Sequence, residues 1–106
     1  MIKALVTRSC DKGYVSFVCS GHAEYAEPGS DIVCSAVSML VLNTANAIEG
    51  LTDNKIKGRD NDGEIRLDFP DGLDDKGKLL MDTMIMGLEQ VEKDYADFIK
   101  LSYKEV

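Results

Sequence analysis

The first 20 residues constrain the fold most. Ile2, Ala4 and Val6 alternate with Lys3, Leu5 and Thr7. After Asp11-Lys12-Gly13, Val15, Phe17 and Cys19 alternate with Tyr14, Ser16, Val18 and Ser20. A period of two sends the two sets to opposite faces of a strand, and the Asp-Lys-Gly stretch is turn chemistry. The segment reads as a β-hairpin with one apolar face. A lone hairpin is marginal in water, so that face needs more strands and a cover.

The rest of the chain supplies both. Residues 21–31, with Gly21, Pro28, Gly29 and Ser30, fit neither period and read as a loop. Asp31 is an N-cap candidate. After it Val33, Val37, Leu40, Val41, Thr44 and Ile48 recur at helical spacing until Gly50. Ser35, Ala36, Ser38, Ala45 and Ala47 predict that this helix packs closely on a sheet. Strand signals return over about Leu51 to Arg59. Asn61-Asp62-Gly63 is a hairpin turn, and Ile65, Leu67 and Phe69 alternate with Glu64, Arg66 and Asp68. Pro70-Asp71-Gly72 stops that strand. A second helix is expected from about Asp74 to Tyr95, with a stripe of Met81, Met84, Ile85, Leu88, Val91 and Tyr95 and a solvated face of Glu89, Glu92, Lys93 and Asp94. Ile99, Leu101 and Tyr103 alternate with Lys100, Ser102 and Lys104 in a final strand. The predicted order is β-β-α-β-β-α-β. It corresponds to an α/β (α+β) fold: a single domain over residues 1–106, one mixed sheet with two packed helices.

Composition narrows the function. At 106 residues, 44% hydrophobic and 29% charged, the chain has the make-up of one globular domain. No apolar run approaches the roughly 20 residues of a membrane span, and the N-terminus has no signal core, so a cytoplasmic protein without a membrane partner is expected. With 19 acidic against 12 basic residues the formal net charge is −7. That balance argues against direct nucleic-acid binding and favours a basic partner. Cys10, Cys19 and Cys34 are an odd set, which argues against a disulfide framework.

The chemistry concentrates between residues 20 and 38. His22, the only histidine, closes a strand, and Cys34 opens a helix around its third position if Asp31 is the cap. One loop joins the two, so both fall at the same end of the domain. A helix N-terminus offers partial positive charge and free N–H groups, which favour a thiolate and can hold an oxyanion. An imidazole in reach would activate the thiol and later protonate a leaving amine. Glu24, Glu27 or Asp31 could orient that imidazole, and Ser38, one turn beyond Cys34, could face the same site. A second reading makes Cys10, Cys19, His22 and Cys34 a Cys3His zinc site in a non-catalytic module. The spacing lacks the paired Cys-x2-Cys knuckles of such sites. Cys10 and Cys19 read more simply as inert thiols.

The stretch Gly21-His22-Ala23, followed by Gly29-Ser30-Asp31-Ile32-Val33-Cys34-Ser35-Ala36-Val37-Ser38, resembles the ribosomal-processing cysteine protease (Prp) family. Asn46-Ala47-Ile48-Glu49-Gly50-Leu51, the hairpin after it and the second helix extend the likeness over essentially the whole chain. The resemblance implies a cysteine endopeptidase with a His22–Cys34 dyad and no metal or organic cofactor. It implies a substrate: the precursor of a large-subunit ribosomal protein, whose N-terminal extension is cut off after an aromatic residue so that it can join the ribosome. It also implies a homodimer, a substrate-admitting loop beginning at Gly21, and Asp31 and Ser38 lining the site. The chain departs from many relatives at Ser35, where they carry alanine. Pro28 is a stiffening element in the loop. The alternative is a ribosome-associated binding module without catalysis.

Overall fold

The computed structural model describes residues 1–21, 30–61 and 63–106. The elements follow the predicted order: β1 (Ile2–Ser9), β2 (Gly13–Ser20), α1 (Ser30–Leu51), β3 (Lys57–Asn61), β4 (Glu64–Asp68), α2 (Asp75–Asp94) and β5 (Ile99–Glu105). The strands form one sheet in the order β3-β4-β2-β1-β5. Every pairing is antiparallel except β1 with β5, which run parallel from Ile2↔Ile99 to Arg8↔Glu105. That single parallel pair makes the sheet mixed, as expected.

Both helices cover the same face of the sheet. Ile2, Ala4, Val6, Phe17, Cys19, Leu67, Phe69, Ile99 and Leu101 meet Val33, Val37, Val41 and Ile48 of α1 and Met81, Met84, Ile85 and Leu88 of α2 in one core. Each large side chain fully buried there is worth about 1.5–3 kcal/mol in apolar area removed from water. The two helices approach closely at Gly87, where a Cβ would lie 2.9 Å from Leu40 Cδ2. By length and apolarity, residues Ile32–Leu51 of α1 would also suit a membrane span, contrary to the reading of the bare sequence. Here its valine stripe is spent on the core.

Four local details differ from the sequence reading. α1 begins at Ser30, so Asp31 lies in its first turn instead of capping it, and it continues through Gly50 to Leu51. The strand expected from Leu51 shrinks to Lys57–Asn61. β2 carries a bulge: Thr7 faces Ser16 but Arg8 faces Tyr14, so Val15 is the extra residue. The bulge moves Tyr14 onto the core face with Phe17 and Cys19, and leaves Val15 half-buried. The Tyr14 hydroxyl donates to the Asp82 carboxylate of α2, and burial together with that carboxylate raises its pKa. Finally, the acidic face of α2 is not wholly solvated, because Glu92 Oε2 accepts the Leu101 N–H of β5 at 2.6 Å.

Asp74 closes the other helix start as a true cap. Its Oδ1 accepts the Gly77 N–H at 2.9 Å and the Asn54 side-chain amide at 2.8 Å. The second contact ties the segment after α1 to the start of α2.

Candidate active site

The end of β2, the beginning of α1 and the β3–β4 hairpin enclose a cleft of about 140 Å3. α1 contributes Cys34, Val37 and Ser38, whose i, i+3, i+4 spacing places them on one helix face. Cys19 and Gly21 come from the end of β2, and Ile2 from the start of β1. The opposite wall is the hairpin, with Asp60, Asn61, Gly63, Glu64 and Ile65. Asp60 and Ile65 face each other across β3 and β4, which explains why both look into the cleft.

Gly21 fixes one corner. Its φ is +104°, and a Cβ there would lie 2.4 Å from the Met1 carbonyl oxygen. Its N–H donates to the Gly63 carbonyl at 3.1 Å. Only glycine fits between the strand end, Met1 and the hairpin.

Two thiols share the cleft and differ in environment. Cys19 is 7% exposed. Burial, and then the neighbouring Cys34, push its thiol up to about 11, so it stays protonated at neutral pH. Cys34 is half-buried, resting on the core while opening to the cleft. It is the fifth residue of α1, not the third, because the helix starts at Ser30, two residues before the Ile32 start that an Asp31 cap implies. The unpaired N–H groups of α1 therefore belong to the turn preceding Cys34. Cys10 is exposed beyond the other end of the hairpin. Ala4 pairs with Cys19, and Cys10 lies six positions beyond Ala4, which is about 20 Å along a strand. Cys10 and Cys19 therefore cannot share one four-coordinate metal, and the Cys3His zinc set does not assemble. Brief treatment of the native protein with iodoacetamide at pH 8 should modify Cys34 and Cys10 while sparing Cys19. Peptide mass mapping reads this directly, and equal labelling of Cys19 and Cys34 would contradict the assigned environments.

The structure thus brings together Gly21, Cys34 and Ser38 of the residues singled out from the sequence. His22, Glu24, Glu27 and Pro28 lie outside the described residues, as does the side chain of Asp31. Sequence reasoning missed the hairpin wall and the presence of Cys19 in the cleft. Both depend on β2–β4 pairing across more than 40 residues, with Cys19 opposite Ile65, which local periodicity does not encode.

The sequence matches the profile of the family described as cysteine protease Prp over residues 1–100. The chain belongs to the cysteine protease Prp family. The ribosomal processing cysteine protease Prp of Bacillus subtilis (strain 168) is 38% identical, across 96% of either chain. A crystal structure of the essential ribosomal processing protease Prp from S. aureus in complex with a substrate peptide matches with a TM-score of 0.89. The match is at 32% identity and covers 98% of this chain and 100% of that one. The same S. aureus protease with a covalently linked product peptide matches at a TM-score of 0.87. The mixed five-stranded sheet with two helices is therefore the architecture of a Prp protease, and the enzyme class is cysteine protease.

Proposed function

We propose that this chain is an endopeptidase that removes the N-terminal extension of a large-subunit ribosomal protein precursor, with Cys34 as nucleophile and His22 as general base and acid. The observation that carries the reading is the cleft itself. A half-buried Cys34 opens into it, Ser38 lies one turn on, and Gly21, the residue preceding the only histidine, forms its corner. The covalently linked product peptide of the S. aureus relative supports covalent catalysis in this family. Asp60, on the cleft side of the hairpin, gives the opposite wall negative charge, which suits a basic precursor.

The proposed chemistry is acyl transfer through a thioester. His22 takes the Cys34 proton, and the thiolate attacks the scissile carbonyl. A C–S bond forms, and the oxyanion is held by N–H groups of the first turn of α1. The C–N bond breaks as the His22 imidazolium passes its proton to the leaving amine. His22 then deprotonates a water, which attacks the thioester. The C–S bond breaks, the acid product leaves, and Cys34 recovers its proton from His22. No metal or organic cofactor enters this scheme. Asp31 and Ser38 are proposed to line the substrate path, and the loop starting at Gly21 to admit the peptide. The working form is proposed to be a cytoplasmic homodimer.

A peptide spanning the extension junction of the precursor tests this reading. Mass spectrometry should find a single cut, after an aromatic residue, with the wild-type chain. No cut in that peptide, with cleavage of unrelated peptides, would keep the enzyme class and overturn the ribosomal substrate.

A further inference from the structure

We propose that the face of the sheet left open by the two helices docks the sugar–phosphate backbone of double-helical RNA. The strand register decides which residues lie on that face. They are Lys3, Leu5 and Thr7 of β1, Ser16, Val18 and Ser20 of β2, and Lys57, Arg59 and Asn61 of β3, joined by Glu64, Arg66 and Asp68 of β4 and by Lys100, Ser102 and Lys104 of β5. The buried neighbours of β1, β2, β4 and β5 point to the other face, and β3 is assigned by its register with β4.

The charge on this face is opposite to that of the chain. Half of the 12 Lys and Arg residues lie there (Lys3, Lys57, Arg59, Arg66, Lys100 and Lys104), against two of the 19 carboxylates. The face carries a net +4 in a chain of −7, so the acid excess sits elsewhere. A whole-chain count hides this segregation, which is why the sequence alone argued against a nucleic-acid partner. Arg66 is held by Asp68 at 3.0 Å, while Lys3, Lys57, Arg59, Lys100 and Lys104 are exposed.

The layout points to a double helix. The cations form two flanks with β2 between them: Lys57, Arg59 and Arg66 on β3 and β4, where both carboxylates of the face also lie, and Lys3, Lys100 and Lys104 on β1 and β5. At about 4.8 Å per strand, the outer strands are about 19 Å apart. The strip between them is polar or aliphatic and carries no aromatic side chain, so it offers no platform for stacking unpaired bases. Two cation-bearing flanks beside a central strand with the Ser20 hydroxyl, and with Thr7 and Ser102 hydroxyls among the lysines of the second flank, suit two phosphate backbones and the 2′-hydroxyls between them, as in the wide minor groove of A-form RNA. Recognition would be of shape and charge, not sequence. The proposal stands on this face alone and is independent of the assignments of Cys34 and His22.

The test is fluorescence anisotropy of the full chain with a fluorescein-labelled 20-base-pair RNA duplex of arbitrary sequence. With about four phosphates neutralised, affinity should fall on the order of 100-fold between 50 and 200 mM salt. The triple variant Arg59→Gln/Lys100→Gln/Lys104→Gln should lose at least about 10-fold in affinity at 50 mM salt, and its salt slope should drop by roughly two to three. The variant Lys76→Gln/Lys78→Gln/Lys93→Gln makes the same charge change on α2 and should bind as the wild type does. Equal loss in both variants would reduce the effect to net charge and overturn the proposal. So would an absence of duplex binding at 50 mM salt, or tighter binding to a poly-glutamate peptide than to the duplex, which would make the partner an acidic protein.

Discussion

A Cys34→Ala chain is expected to fold normally, to keep its affinity for the precursor peptide, and to cleave it on the order of 10^4-fold more slowly, or not at all. The size of the effect follows from the covalent route. With no sulfur at position 34 there is no thioester, and water must attack an unactivated amide. The thiol is small and half-buried, so its loss should change stability by no more than about 1 kcal/mol. A His22→Ala chain should fall by a comparable factor, because base and nucleophile act as a unit and their losses are not additive. The double variant should then be little slower than either single one. Single-turnover cleavage followed by mass spectrometry, alongside peptide binding by anisotropy, separates loss of chemistry from loss of binding. A Cys34→Ala chain that retained a tenth of the wild-type rate would rule out Cys34 as the nucleophile.

The second large effect is expected at Gly21→Ala, a change of one methyl group outside the dyad. The backbone there has φ near +104°, and the new Cβ would sit 2.4 Å from the Met1 carbonyl oxygen. Left-handed backbone costs a non-glycine residue about 1–2 kcal/mol, and the clash is with main chain, which has no rotamer to retreat to. A total of about 3 kcal/mol corresponds to a melting temperature lower by roughly 12 °C or more for a domain of this size. Relief would come from displacing either the Met1–Ile2 end of β1 or the strand end leading to His22, and both border the cleft. Cleavage should therefore fall even below the melting temperature, where the chain is folded. Differential scanning calorimetry with kcat/KM at 20 °C reads both. An unchanged melting temperature and rate would show that Gly21 is not pinned as described.

Much of the architecture is legible in the residues. The two Asx-and-glycine turns, the alternation in four of the five strands and the stripe of α2 each report local geometry, and the element order follows from them. Asp74 caps α2 because its carboxylate reaches the Gly77 amide. Asp31 looked like the same signal, but α1 already begins at Ser30. Helix starts are decided by the chain before the cap as much as by the cap itself, so equal residues give unequal outcomes. Val15 misled for a different reason. A bulge inserts one residue without altering composition, and pattern alone cannot tell it from a regular strand. At the site, the helix face carrying Cys34 and Ser38 could be read from spacing. The hairpin wall of Asp60 and Ile65 could not, because it arises from β2–β4 pairing between distant segments. The same limit applied to the open face of the sheet, whose sign of charge appears only once the strands are in register.

The parallel pairing of β1 with β5 has a kinetic consequence. Arg8 and Glu105, bonded side chain to side chain, are 97 positions apart. The Ile2 amide is likewise tied to the Phe98 carbonyl at 2.8 Å. Contacts of such high sequence separation carry the largest loop-closure entropy and tend to form late. During synthesis, β1 and β2 emerge early, yet the strand that anchors β1 leaves the ribosome last among the elements. Until it docks, the Ile2 amide lacks its bond to Phe98, and the corner around Gly21 is held only through the pairing of β1 with β2. The nascent chain would thus acquire its core hairpin and helices well before its cleft, and catalytic competence would wait for the translated segment around Ile99.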